Sequence, residues 1–236
     1  MDQNMTKTAL IIIALLLFSL QMRSQSKTDS LEFNFHLEFD KLPLELNKKN
    51  VSTCKDTLTI ESFRCYISNI KIQYEDKSVF TQKDGYHLLD SQHPSSFQIP
   101  ITKKSDKLVS IITFNIGIDS LTNTAGAMTG DLDPVKGMYW AWQSGYVNMK
   151  IEGKSSSCNT RKNEFQFHVG GYLQPYYAMR QMKFTLDKKA NDDINIGIDL
   201  FPFFSSVELK ETNSVMIPGN EAMKLANYSC KMFYIQ

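Results

Sequence analysis

The chain has 236 residues, of which 42% are hydrophobic and 11% are aromatic, and its formal net charge is +1. This supply of large apolar side chains is enough for a substantial core and excludes intrinsic disorder. The near-balance of charges leaves no basic field to attract a polyanion, so we exclude nucleic acid as a partner.

An export signal is the first element along the chain. Lys7 precedes an almost uninterrupted apolar run from Ala9 to Leu20. A run of about a dozen residues is too short for a membrane span, which needs roughly 20, and matches the apolar region of a signal peptide. We predict a signal peptide over residues 1–25 and one mature domain over residues 26–236, periplasmic or extracellular and without a membrane span. The alternative is an uncleaved membrane anchor.

Most of the mature chain has a period of two. In residues 31–40, Leu31, Phe33, Phe35, Leu37 and Phe39 alternate with polar residues, which predicts a half-buried strand. Further segments rich in β-branched and aromatic residues are predicted strands. They are residues 57–63, 65–74, 108–118, 139–152, 164–170, 180–187, 194–201 and 230–235.

The same alternation predicts which side chains share a face. We expect one face to hold Tyr66, Ser68, Ile70, Ile72 and Tyr74, and another to hold Leu108, Ile112, Phe114, Ile116 and Ile118. Residues 219–226 are a candidate short helix, and residues 119–138 a long ordered loop. The predicted fold is all-β: a single-domain antiparallel β-sandwich with long loops.

Four cysteines follow the signal peptide. Cys54, Cys65, Cys158 and Cys230 permit three disulfide pairings in an oxidising compartment, among them Cys54–Cys65 with Cys158–Cys230. The sequence does not choose among these pairings. No CxxC motif occurs and no cysteine has zinc-ligand spacing from a histidine, so a structural zinc site is not expected.

Two of the four histidines stand out by their place in the alternation. His36 lies opposite the Phe stripe of its strand, and His168 lies opposite Phe165 and Phe167. Two imidazoles on non-core strand faces could converge on one metal, and imidazole suits copper, zinc, iron or nickel. The favoured alternative from spacing alone is that each is an ordinary surface or hydrogen-bonded histidine. His87 and His93 lie in a loop-like stretch and are interpreted as surface residues.

The two tryptophans, Trp140 and Trp142, are placed on one face of their strand by alternation. A pair of large rings in a β-sandwich is normally core packing. The alternative is a binding site, where an indole would stack on a ligand or become chemically modified.

The loop residues Asp119, Asn123, Asp131 and Asp133 offer hard oxygen ligands that suit calcium. Their spacing is not that of an EF-hand, and we favour their role as turn formers and helix caps. The thioether of methionine is a soft ligand for Cu(I). Because the eleven methionines form no repeated cluster, core filling is the favoured role for most of them.

No catalytic motif is present, whether of hydrolases, zinc proteases, phosphate-binding loops or dinucleotide-binding folds. We therefore expect a binding protein and rank an exported enzyme last.

Several segments together resemble the MbnP-like family of exported copper-binding proteins. They include GMYWAWQSGYVNMKIEG at 137–153, which is specific, and FHVGGY at 167–172. Shorter pieces are FHLEFD at 35–40, CYISNI at 65–70, GYHLLD at 85–90, GIDS at 117–120 and the C-terminal stretch 213–233.

The resemblance implies a β-sandwich with one copper site, held by two histidines and by a tryptophan oxidised to kynurenine. Carried over, His36 and His168 are the imidazole ligands, and Trp140 or Trp142 is the residue to be oxidised. It also implies a diheme cytochrome c peroxidase-like partner that performs the oxidation. The expected function is to scavenge, buffer or deliver copper. The alternative is a metal-free binding module that uses the Trp and Tyr surface.

Overall fold

The structure is a computed structural model that describes residues 30–53, 55–83, 85–103, 106–143, 145–190 and 193–236. The predicted signal peptide over residues 1–25 lies outside the described residues, as does Cys54. None of the helices in the described part of the chain is long and apolar enough to cross a membrane.

A five-stranded sheet forms one layer of the molecule. It contains β1 (Ser30–Phe39), β2 (Leu42–Pro43), β7 (Gln98–Lys103), β15 (Ile194–Asp199) and β17 (Phe233–Ile235). The strand order is β17-β15-β1-β2, and β7 also pairs with β1. β1 and β15 run parallel, whereas the other pairs of this sheet are antiparallel.

A ten-stranded sheet forms the opposing layer. It contains β3 (Lys49–Val51), β4 (Thr57–Tyr74), β5 (Val79–Thr81), β6 (Tyr86–Asp90), β8 (Val109–Ile116), β9 (Tyr139–Trp140), β10 (Gly145–Ser155), β11 (Glu164–Gly170), β14 (Arg180–Ala190) and β16 (Ser214–Val215). Its main order is β14-β8-β4-β10-β11-β16, with β3, β5 and β6 on β4 and β9 on β10. Only β11 and β16 pair in parallel among the described strands of this sheet. A separate hairpin joins β12 (Tyr172–Leu173) and β13 (Tyr176–Tyr177).

Helical structure is confined to short connections and one C-terminal helix. The α-helices are α1 (Ser120–Ala125), α2 (Phe201–Phe204) and α3 (Asn220–Ser229), and the 3-10 helices are Pro94–Phe97, Gly130–Leu132 and Pro134–Lys136. The short helix predicted at residues 219–226 is confirmed by α3. The long loop predicted at residues 119–138 contains α1 and two of the 3-10 helices.

The predicted strands are present, with three corrections. Residues 57–63 and 65–74 form one long strand, β4. The segment 139–152 is interrupted by a turn at residues 141–143, so Trp142 lies outside any strand. His87 lies on a strand, β6, and not in a loop, because residues 86–90 pair with β4.

The main core lies between the two sheets and is rich in aromatic rings. The Phe35 ring from one sheet meets the Phe114 ring from the other, with their centroids 5.8 Å apart. This arrangement buries the apolar stripe of β1 as its alternation predicts. The all-β sandwich expected from the sequence is therefore the observed fold.

A second apolar cluster lies outside the main core. We call it the outer cluster, and its buried members are Tyr66, Leu88, Ile118, Leu132, Met138, Trp140, Tyr146 and Val147. The face predicted to hold Tyr66, Ile70 and Ile72 together is therefore wrong. Tyr66 belongs to the outer cluster, while Ile70 and Ile72 enter the main core. Asn69, between them, has a φ of 50°, which breaks the alternation of β4.

The alternation predicted for β8 and the residues after it is also interrupted, so the second predicted face is wrong as well. Ile116 lies in the main core, whereas Ile118 lies in the outer cluster. Gly117 separates them and has a φ of 107°, a conformation that side-chain-bearing residues rarely adopt.

The three cysteines that the structure describes carry free thiols. Cys65 is fully buried in the main core, and burial raises the pKa of its thiol well above the usual range. The Cys158–Cys230 pairing considered from the sequence is not formed. Its place in the core makes Cys65 a packing residue rather than a reactive one.

Candidate functional site

The candidate site lies on the outer face of β10 and β11. Phe165, Phe167 and Val169 of β11 point into the main core, so the intervening residues point outward. His168 is paired with Lys150 of β10 in the strand register. Although it lies on the outward face, only 11% of the His168 side chain is exposed. This imidazole is therefore held in a covered position.

Glu152 fixes the orientation of His168. The Nε2–H of the imidazole donates to Oε1 of Glu152 over 2.8 Å, and Nζ of Lys150 lies 3.3 Å from the same oxygen. The hydrogen bond from His168 lowers the pKa of Glu152 to about 2, with Lys150 contributing in the same direction against desolvation. Glu152 is therefore ionised at neutral pH. No signal in the sequence points to Glu152, because only the cross-strand register brings a carboxylate on β10 to an imidazole on β11.

Trp140 covers the next outward position of β11, which is Gly170. A Cβ built on Gly170 would lie 2.6 Å from Cζ3 of Trp140, so the absence of a side chain makes room for the indole. Trp140 is 8% exposed and belongs to the outer cluster. The prediction that the tryptophans are packing residues is thus correct for Trp140, which packs in the outer cluster and not in the main core.

Trp142 is placed differently from Trp140. Its side chain is 64% exposed, and its ring centroid lies 5.8 Å from that of Trp140. The prediction that alternation places both indoles on one strand face is wrong, because Trp142 lies in the turn at residues 141–143. The two rings are nevertheless in contact, and one is covered while the other is open to solvent.

His36 lies on a different layer from His168. It belongs to β1 of the five-stranded sheet, is exposed, and donates from Nε2 to Oδ1 of Asn195 over 3.1 Å. Its strand neighbours Phe33 and Phe35 enter the same main core as Phe165 and Phe167. Both histidines point away from that core from opposing sheets, so the structure does not bring them together.

The described residues can be tested against the copper site that the sequence resemblance implies. No group of three or more His, Cys, Asp or Glu side chains within the described part of the chain is placed to hold a metal ion. His36 and His168 cannot bind one metal ion together, because they lie on opposing sheets and point away from the core between them. What fits is a single oriented imidazole, His168, whose second ring nitrogen is not used by Glu152. Such a carboxylate–imidazole pair is the usual support of a metal-binding histidine.

We call residues 119–138 the acidic loop. Its acidic side chains, considered above as calcium ligands, have structural partners of their own. Asp119 caps α1 by accepting from the Thr122 N–H, and Asp133 caps the Pro134–Lys136 turn by accepting from the Val135 N–H. Asp131 accepts from the Leu88 N–H and pairs with Lys136. The cap interpretation is confirmed for Asp119 and Asp133.

Asn123, the fourth residue of the calcium hypothesis, is buried. Its side-chain oxygen accepts from the Tyr146 N–H over 2.7 Å. Its amide group donates to the carbonyl oxygens of Ile118 and Asp119. The loop oxygens are thus dispersed among separate backbone and side-chain partners rather than gathered around one point.

A polar cavity of about 610 Å³ lies elsewhere on the ten-stranded sheet, between β6 and the acidic loop. His87 and His93 both line it, together with Arg64 and Asp90. Asp90 is paired with Arg64 at 3.0 Å and with His93 at 3.1 Å. His93 is exposed, as predicted, whereas His87 is half-buried, and desolvation lowers the pKa of His87.

Comparison with known proteins identifies the family. The family model described as MbnP matches residues 28–217. Among solved structures, the chain is similar to MbnP from Methylosinus trichosporium, with a TM-score of 0.59 and 13% sequence identity over 80% of this chain and 81% of that one. At this identity the likeness shows the fold alone. No curated protein sequence matches the chain. Because the family model covers most of the chain, this protein belongs to the MbnP family.

Proposed function

We propose that this protein is exported and binds copper at the outer face of β10 and β11, without catalytic turnover of its own. One observation supports the proposal above all others: His168 is a covered imidazole whose Nε2–H is held by an ionised carboxylate. Membership of the MbnP family favours copper over the other metals that imidazole binds.

Within this site, each residue has a distinct role. His168 would ligate the metal through Nδ1, the ring nitrogen that Glu152 does not engage. Glu152 would fix the tautomer and raise the basicity of the imidazole. A bound copper ion would give the protein a cargo to store or deliver. His36 lies on the other layer, and we assign it no part in this site.

We further propose that Trp140 is the tryptophan oxidised to kynurenine. Its indole covers Gly170, two residues from His168 on the same strand face, which is the position from which a modified side chain would reach the metal. Trp142, exposed and in ring contact with Trp140, would face the partner that performs the oxidation. A diheme cytochrome c peroxidase-like protein remains the proposed partner.

The proposal is tested by comparing His168→Ala with His36→Ala in protein isolated after export from its own host. Both substitutions remove an imidazole from an outward strand face. We expect His168→Ala to lower copper affinity by about tenfold or more, with its melting temperature near that of the wild type, and His36→Ala to bind as the wild type does. Equal copper binding by the wild type and His168→Ala would remove His168 from the site.

Exposed apolar side chains favour a second candidate function. Trp142 lies open to solvent, and Leu173 and Ile217 are also exposed. Where such side chains form one continuous patch, they mark a binding surface, for example for a sugar, a peptide or a partner protein. This metal-free function predicts that extensively dialysed native protein contains no copper, and that Trp142 fluorescence changes when the ligand is added.

A further inference from the structure

The polar cavity of about 610 Å³ has no part in the copper proposal. Four segments that are distant in sequence enclose it: β4, β6, the acidic loop, and the chain that leads from the Pro94–Phe97 turn into β7. Small-molecule sites in proteins have volumes of roughly 300–1,000 Å³. The cavity therefore has the size of a ligand site, and the chemistry of its wall indicates which ligand it fits.

A fixed guanidinium group forms one part of the wall. Arg64 donates from Nε to Oδ2 of Asp90 over 3.0 Å. Its Nη1 donates to the Lys136 carbonyl oxygen over 3.4 Å, and its Nη2 donates to Oε1 of Gln92 over 3.3 Å. Only 18% of the Arg64 side chain is exposed. These contacts hold the guanidinium in place before any ligand arrives, which lowers the entropic cost of binding.

Asp90, the first of two carboxylates on the wall, is occupied by donors of the protein. Its Oδ1 accepts from the Gln92 N–H over 3.0 Å, and its Oδ2 lies 3.1 Å from Nδ1 of His93 in addition to Nε of Arg64. Desolvation alone would raise the pKa of Asp90, but these hydrogen bonds and the Arg64 charge lower it overall. Asp90 is therefore ionised at neutral pH, and Arg64 balances its charge.

Asp131, the second carboxylate, is occupied in the same way. Its Oδ1 accepts from Nζ of Lys136, and its Oδ2 accepts from the Leu88 N–H over 3.0 Å. Each carboxylate of the cavity is thus paired with a cation, and all four carboxylate oxygens already accept from a donor of the protein.

The hydrogen-bonding capacity that remains on the wall consists mainly of donors. A guanidinium has five N–H groups and an ammonium has three. Among the described residues, Arg64 uses three of these groups and Lys136 uses one. The Ser95 hydroxyl and the Gln98 amide on the same wall each add a donor. Such a wall suits a group with several acceptor oxygens, and Arg binds carboxylate and phosphate groups through parallel N–H bonds.

We propose that the polar cavity binds a small organic anion, whose carboxylate or phosphate group is held by Arg64 and Lys136. The cavity is large for a bare inorganic ion, so the anionic group is assigned to an organic molecule. No Phe, Tyr or Trp ring lines the described wall, so recognition does not use ring stacking. His168 does not line the cavity either, and the proposal does not depend on copper binding.

The test measures binding by isothermal titration calorimetry at neutral pH, with wild-type exported protein and three variants. The probes are succinate and glycerol 3-phosphate, which carry the two candidate groups, and inorganic phosphate and uncharged glycerol serve as comparisons. Lys136→Gln removes one cation and leaves the Asp131 charge unbalanced, and both effects oppose an anion. Arg64→Lys keeps the charge but removes the planar set of donors.

Lys154→Gln is the matched control. The side chains of Lys136 and Lys154 are 38% and 46% exposed, and each pairs with a carboxylate, which for Lys154 is Glu61 at 2.7 Å. Lys154 lies on β10 and does not line the cavity. Both Lys→Gln variants therefore change the net charge equally, but only one of them alters the proposed site.

We expect succinate, glycerol 3-phosphate or both to bind the wild type, and Lys136→Gln and Arg64→Lys each to weaken that binding by about tenfold or more. Lys154→Gln should bind as the wild type does. Melting temperatures report whether the variants fold, and if Arg64→Lys does not, Lys136→Gln and its control decide the question.

Three results would overturn the anion site: no binding of either organic anion, an equal loss of binding in Lys154→Gln, or equally tight binding of glycerol. The second would make general surface charge the cause, and the third would show that the anionic group is not recognised. Inorganic phosphate bound as tightly as the organic anions would overturn the assignment to an organic ligand.

Discussion

His36 and His168 show how two residues with the same sequence signature acquire different surroundings. Each follows a core phenylalanine on a strand, and each points away from the main core. His36 is exposed and meets an asparagine, whereas His168 is covered and meets an ionised carboxylate. The difference comes from the neighbouring strand β10, since Glu152 bonds the His168 imidazole and Lys150 pairs with His168 in the strand register. Only His168 is therefore organised in advance for a ligand.

The hydrogen bond between Glu152 and His168 leads to a prediction about charge. Glu152→Gln keeps the size and an acceptor oxygen but removes the negative charge, so His168 loses basicity and its preferred orientation. We expect copper affinity to fall by about 10- to 100-fold, as for other carboxylates that support a metal-binding histidine. The measurement is a Cu(I) titration against a competing chelator.

Glu61→Gln is the control, because Glu61 is a carboxylate of β4 that pairs with Lys154 at 2.7 Å, away from His168. This variant should bind copper as the wild type does. An equal loss in both variants would mean that general surface charge, and not the contact with His168, controls affinity.

Two breaks in strand alternation create the second apolar layer of the molecule. Asn69 in β4 and Gly117 after β8 both have positive φ. The main core takes Cys65 and Ile67 before Asn69 but Ile70 and Ile72 after it, so the alternation shifts by one residue. It takes Ile116 before Gly117, whereas Ile118 joins the outer cluster. Tyr66 and Ile118 thereby contribute to the outer cluster, on which the acidic loop and Trp140 rest. The outer cluster in turn keeps the Trp140 indole over Gly170, so the geometry of the candidate site depends on these two breaks.

Substitution at Asn69 tests the first break. Asn tolerates the left-handed region better than most residues, and a β-branched side chain tolerates it poorly. We expect Asn69→Val to lower the free energy of unfolding by about 1–2 kcal/mol, and Asn69→Gly to change it by less than about 1 kcal/mol. Urea denaturation of both variants gives the comparison. If Val and Gly proved equally stable at this position, the positive φ at Asn69 would not be required by the fold.

The two sheets are held together by aromatic rings that cross the main core. Phe114 on β8 contacts Phe35 and Phe233 from the five-stranded sheet, with centroids 5.8 and 5.7 Å away, and Phe184 from its own sheet at 6.0 Å. Edge-to-face packing of this kind adds to the free energy gained by burying the rings. Because both layers meet at Phe114, this residue contributes to the cohesion of the whole molecule.

Truncation of Phe114 should therefore be costly. We expect Phe114→Ala to lower the free energy of unfolding by about 3–5 kcal/mol, since it removes a fully buried ring and leaves a cavity between the sheets. Phe80→Ala, which truncates a half-buried ring on β5, should cost clearly less. Equilibrium urea unfolding measures both losses. Similar losses for the two variants would show that the sheets do not depend on contacts at Phe114.

The sequence by itself determined that the protein is all-β, where most of its long strands lie, and that His36 and His168 point away from the core. These features follow from alternation along single strands, which is a local property of the chain. Only the tertiary structure decided which outward residues become neighbours. The separation of His36 from His168, the contact of Glu152 with His168 and the cover of Trp140 over Gly170 all depend on pairing between distant strands and on the stacking of two layers. Periodicity in one strand has no information about the register of another, so the ligand set could be resolved only when the sheets were assembled.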